Sequence, residues 1–156
     1  MAKGGKSDGM LIDGDLSNGA TWSEGVNEYV NVRSHAALAV GAVVAVVPSV
    51  TGPVTSAPVA LTGYQTIGVV CQAATAASEQ IVVQTKGYAE AMVEGTTDVT
   101  VDDFVEVLAT EAAFKLDHAT ARSVNSVAMA VDGVTAAGPA LASVYLIGER
   151  VIVAAS

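Results

Sequence analysis

The chain is poor in the residues that most catalytic sites and most disulfide scaffolds are built from. Its 156 residues include one cysteine, two histidines, one tryptophan, two phenylalanines and four tyrosines. A single cysteine, Cys71, excludes an internal disulfide framework. Set in an apolar run, it is expected to be a buried structural thiol. Lys and Arg number 7 against 16 Asp and Glu, giving a formal net charge of −9. So little basic surface argues against nucleic acid and anionic membrane as partners, and the acidic excess suits solubility. No apolar run is long enough to span a bilayer. The most hydrophobic stretch, Ala36–Val47, is too short and contains Gly41. Met1–Asp15 lacks the apolar segment of a secretory signal, so a soluble protein made in the cytoplasm is expected.

Catalytic constellations are missing as well. His35 follows Arg33-Ser34 at a strand end and His118 follows Asp117 in a polar stretch, so both read as surface or loop histidines. Asp102-Asp103 adjoin a strand, where consecutive side chains point to opposite faces. That places them poorly for shared acid/base work and fits a turn or strand start. There is no Gly-x-Gly-x-x-Gly, no Walker lysine and no Gly-x-Ser-x-Gly. The expectation is a protein that is not an enzyme and holds no cofactor. One weak metal pattern exists. Asp13, Asp15, Ser17 and Glu24 fall at positions one, three, five and twelve of a calcium-loop count. Asn18 stands where that loop wants glycine, and an Asp/Asn/Gly turn cluster accounts for the residues equally well.

What the chain does have is valine and alanine. It is 51% hydrophobic with only 4% aromatic residues. Valine favours half-buried pleated surface, but small side chains remove little apolar area from water, so oligomerisation is expected to help. Residues 1–25 are rich in Gly, Ser, Asp and Asn with no sustained period, and read as an extended N-terminal arm. Leu11, Ile12, Leu16 and Trp22 are scattered in it like anchors for a partner. From Val26 to the C-terminus, runs of apolar or alternating residues are separated by Gly, Pro, Asp and Thr, which predicts an all-β domain over 26–156. Strands are expected near Glu28–Arg33, Leu38–Val47, Thr66–Gln72, Gln80–Thr85, Tyr88–Val93, Phe104–Leu108, Ala113–Leu116, Ser126–Val131, Ala142–Ile147 and Arg150–Ala154. Gly87 and Gly148 each mark a tight turn or bulge. Pro48, Pro53 and Pro58 make Pro48–Thr62 unfit for central sheet. Helix competes over Thr110–Arg122, and as a single turn over Ala73–Glu79.

A repeat with a period of about sixty residues runs through this pattern. Ala39–Val47 aligns with Thr100–Leu108, and Ile67–Ala77 with Val127–Ala137, each copy carrying Thr-Ala-Ala. Ile81–Gly87 aligns with the run from Ala142 to Gly148. The pseudo-repeats are read as about 39–94 and 100–155. Each unit alone leaves an open edge and an apolar face. Two together can close a small β-barrel or sandwich.

The segments Val-Gly-Ala-Val-Val (40–44), Thr-Ile-Gly-Val-Val-Cys-Gln-Ala-Ala-Thr-Ala-Ala-Ser-Glu-Gln-Ile-Val-Val-Gln-Thr-Lys-Gly (66–87) and Val-Asp-Asp-Phe-Val-Glu-Val (101–107) resemble the capsid decoration, or cement, proteins of tailed bacteriophages. The resemblance covers roughly Val40 to the C-terminus. It departs from the family rhythm at Gly41-Ala42, Val101-Asp102-Asp103 and Ser78-Glu79. It implies a structural protein on the outer capsid surface of a virion, a homotrimer, whose partner is the major capsid protein. The expected anchors on the capsid are then Leu11, Ile12, Leu16, Trp22 and Tyr29. The alternative is a phage or cell-surface β-domain for glycan or host binding.

Overall fold

The computed structural model describes residues 18–57, 64–108, 112–116, 126–135, 138–148 and 150–151. All regular structure among them is strand. In chain order these are β1 (Thr21–Glu24), β2 (Asn27–Arg33), β3 (Val43–Val47), β4 (Val54–Ser56), β5 (Tyr64–Val70) and β6 (Gln80–Glu94). There follow β7 (Phe104–Leu108), β8 (Ala113–Leu116), β9 (Ala128–Ala130), β10 (Pro139–Leu146) and β11 (Arg150–Val151).

The pairings form two rings. β2 pairs β4, β4 pairs β3, β3 pairs β5, β5 pairs β6, and β6 returns to β2. Farther along the same strand, β6 pairs β8, β8 pairs β7, β7 pairs β9, β9 pairs β10, and β10 returns to β6. The chain is thus two copies of one β-unit joined through a shared strand. Closing the ladder on itself removes the edges that an open sheet leaves exposed.

The registers repeat too. The parallel pair Arg33↔Val54 recurs as Val93↔Phe114 with a shift of one residue on the first strand, Val93 taking the core place of Val32. Val43↔Val69 recurs as Phe104↔Met129, and the bridge Leu38↔Ala74 recurs as Val99↔Val134. Left-handed residues match as well: Gly41 (φ 91°) with Asp102 (φ 75°), and Gly87 (φ 92°) with Gly148 (φ 107°). Unit 1 therefore begins at β2 and unit 2 at the second half of β6, upstream of Ala39 and Thr100, where the apolar alignment starts.

Val30, Val32, Val44, Val70, Ile81 and Val83 fill the interior of unit 1. Their counterparts Ala91, Val93, Val105, Ala130, Ala142 and Val144 belong to the larger core of unit 2. Val43, Ala45, Ile67 and Val69, from the other face of β3 and β5, join that second core. β3 is therefore apolar at every position, because its start is buried on both faces.

Several local expectations are corrected. Gln80–Thr85 and Tyr88–Val93 are one fifteen-residue strand, and Gly87 lies inside it, two residues beyond a bulge at Thr85, and not at a turn. Asn27 Oδ1 accepts from Tyr88 N at 3.0 Å, and buried Gln84 donates through Nε2 to Lys86 O and Tyr88 O at 3.0 and 2.7 Å. Among the described residues of Thr110–Arg122 there is strand β8 and no helix, and Ala73–Glu79 holds bends and a turn. β4 lies inside the proline-rich segment: Pro53 ends just before it, so three residues pair without a proline N–H being needed. The end of the N-terminal arm is itself paired, as β1 on β2.

Candidate interaction surface

Two surface features stand out, one on each unit. On unit 1, Glu24↔Asn27 closes the β1–β2 hairpin, with Gly25 (φ 62°) as the first of two turn residues, the conformation a glycine supplies without steric cost. Trp22 and Tyr29 are directly opposed in that ladder and stack, with centroids 5.6 Å apart and planes 18° apart. They line an open groove of about 540 Å³ with Thr21, Ser23, Glu28, Thr66 and Thr85. An aromatic pair thus stands beside a set of hydroxyls and one carboxylate.

On unit 2, Tyr88 of β6 and Tyr145 of β10 are Cα partners and meet edge to face, 4.9 Å apart at 74°. With Val101, Met129 and Val131 they line a second open groove of about 330 Å³. Tyr88 is 60% exposed and Val101 58%. By sequence spacing the unit 1 counterparts of the two tyrosines are Asn27 and Gln84, which hydrogen-bond to the backbone around Gly87. The two amides are not partners, since Gln84 lies opposite Tyr29, so the paired tyrosines are particular to unit 2. This site is missed when residues are read one run at a time. Setting Asn27 beside Tyr88 and Gln84 beside Tyr145 would have found it.

Of the expected anchors, Trp22 and Tyr29 come together, each half-buried. Leu11, Ile12 and Leu16 lie outside the described residues, as do Asp13, Asp15 and Ser17 of the calcium pattern. Glu24 is exposed at the end of β1. Among the described residues no three His, Cys, Asp or Glu side chains gather as a metal-holding group.

The remaining polar residues do structural work. The exposed ring of His35 is hydrogen-bonded through Nδ1 to buried Thr55 Oγ1 at 2.8 Å. Asp103 Oδ2 accepts from Thr100 N at 2.7 Å and Thr100 Oγ1 at 3.0 Å, closing the turn before β7. His118 lies outside the described residues. Cys71 is a correction: its side chain is exposed. It follows the last residue of β5, where alternation turns it outward. Its Sγ still lies 3.7 Å from Val69 O and 4.0 Å from Gln84 Oε1. Crowding by protein pushes the thiol pKa up, against a smaller lowering by a hydrogen bond.

Among the described residues no helix is long and apolar enough to cross a membrane. No family model matches the chain. No curated protein matches it.

Proposed function

We propose that the chain is a non-enzymatic structural protein that decorates the outer surface of a tailed-phage capsid and bridges major capsid subunits. The observation that carries this reading is the surface of unit 2. Two of the four tyrosines, with Val101 and Met129, form an aromatic and apolar patch on a scaffold closed by strand pairing. Exposed tyrosines on rigid strands make effective contact residues, since a few large side chains dominate interface energy. Trp22 and Tyr29 add a second contact on unit 1. A homotrimer on the capsid, as the family resemblance implies, would multiply both contacts without a deep pocket. The net charge of −9 suits a protein displayed at high copy number.

Co-sedimentation with emptied phage heads lacking their decoration protein tests the reading. The chain is expected to travel with the heads and to raise the temperature at which they rupture. Tyr88→Ala with Val101→Ser should weaken both effects. A chain that stays in the supernatant at every ratio tried would remove the proposal.

The unit 1 groove favours one second reading, a glycan-binding β-domain. Stacked aromatics beside Thr, Ser and Glu side chains offer a sugar an apolar platform and hydrogen-bonding groups. A glycan array distinguishes it: hits lost with Trp22→Ala would support it, and an empty array would set it aside.

A further inference from the structure

Two different segments fill the same kind of seat. On unit 2 the seat lies between Met92 of β6 and Ala112, just ahead of β8. Gly41–Val43 of unit 1 fills it: Met92 N donates to Gly41 O at 2.8 Å, and Val43 N donates to Ala112 O at 2.8 Å. On unit 1 the matching positions are Asn31 of β2 and Gly52, just ahead of β4. There Asn18–Ala20 sits instead. Asn31 N donates to Ala20 O at 2.8 Å, Gly19 N donates to Asn31 O at 2.6 Å, and the Asn18 side chain lies against Gly52.

The turn that enters the seat also occurs twice. Gly41 and Asp102 are both left-handed, and each leads into a strand, β3 and β7. Gly41 N donates to Val70 O as Asp102 N donates to Ala130 O. The Gly41 carbonyl is taken by Met92. Among the described residues the Asp102 carbonyl accepts no backbone hydrogen bond, and Asp102 is exposed where Gly41 is buried. The chain therefore carries two such turns and two seats, yet only the Gly41 turn is seated, because Asn18–Ala20 holds the other seat.

We propose that copies of this chain associate head to tail, the Asp102–Phe104 turn of one copy entering the seat between β2 and β4 of the next. It takes the place of that copy's Asn18–Ala20, which acts as a built-in cap. The cap is an imperfect filler: Asn18 Oδ1 is buried with no hydrogen-bond partner among the described residues. The inference rests on the repeat and does not depend on capsid binding.

Light scattering over a concentration series tests it. Gly19→Val weakens the cap, because Gly19 has φ 90° and a Cβ there would meet Pro53 Cδ at 3.3 Å. The variant should associate on the order of tenfold more tightly than the parent chain. Adding Val101→Glu, at an exposed position, should return it to single copies. A synthetic peptide of residues 18–25 should do the same by filling the seat, with no second substitution. If Gly19→Val fails to fold, Trp22→Ala, which loosens the β1–β2 hairpin, takes its place. A cooperatively folded cap variant that stays a single copy at every concentration overturns the proposal. So does association that neither Val101→Glu nor the peptide reduces.

Discussion

Leu141 of unit 2 fills the space that a side chain on Gly41 of unit 1 would need. Glu90 O lies 3.6 Å from the same point. Two effects would act on Gly41→Ala. The steric one is small, because Leu141 is 54% exposed and its end can swing away. The backbone one is larger, because alanine must hold φ 91°, where glycine alone is comfortable. Gly41→Ala should therefore cost about 1 kcal/mol, and Leu141→Ala in that background should recover little of it. At the matched position Asp102 already bears the left-handed strain, so Asp102→Gly should stabilise by roughly 0.5–1 kcal/mol. Urea midpoints measured at constant slope check both signs.

Phe114 and Val54 hold matched places, in β8 and β4, yet the two units use them differently. Phe114 is fully buried and, among the described residues, is the one aromatic in a core otherwise made of aliphatic residues. Val54 is half-buried at a strand of three residues. Phe114→Ala should cost about 3–5 kcal/mol through lost burial and the cavity left behind. Val54→Ala should cost less than about 1.5 kcal/mol. Equal losses in equilibrium denaturation would mean that the units contribute alike.

The repeat was legible because matched strands bury matched positions, Val44 with Val105 and Val70 with Ala130, so apolar residues recur at one spacing. The unbroken β6 was not, because a glycine between two apolar runs suits a turn and a continuing strand alike. Asn27, far away in sequence, decides between them by accepting from Tyr88 N. β1 was hidden because Thr21–Glu24 is mostly exposed, and its only signal is Gly25 at the hairpin turn. The Tyr88–Tyr145 patch was hidden for a different reason. It depends on two strands pairing in register, and no single run of residues carries that.

Cys71 gives a chemical check on its placement. The side chain is exposed, so a reagent can reach it, but desolvation raises its pKa. The thiolate is the nucleophile. Alkylation by iodoacetamide should therefore be slower than for an unstructured cysteine at neutral pH. Its rate should climb toward the unstructured value only in more alkaline solution. Unfolding in denaturant should abolish the difference. A rate profile that overlays the free thiol's would show that the crowding around Sγ is not felt.

Glu79 ties down the turn that follows the Thr-Ala-Ala segment. Thr75 Oγ1 donates to its Oε2 at 2.6 Å, and Thr75 N donates to its Oε1 at 3.0 Å. Those bonds favour the ionised carboxylate and hold its pKa below the ordinary glutamate value, the hydroxyl contributing most. The unfolded chain then binds the proton more readily than the folded one, so this group's stabilisation is present above the unfolded pKa. It fades as pH falls through the lower, folded pKa. The carboxylate is open to solvent, so the expected effect is local. The protection of the Thr75 amide, relative to its intrinsic exchange rate at each pH, should fall on acidification, with little change in global melting temperature. Glu79→Gln, which has no proton to gain, should show lower Thr75 protection at neutral pH and no further loss of protection below it. If the Gln variant keeps the parent's acid response, another group governs the turn.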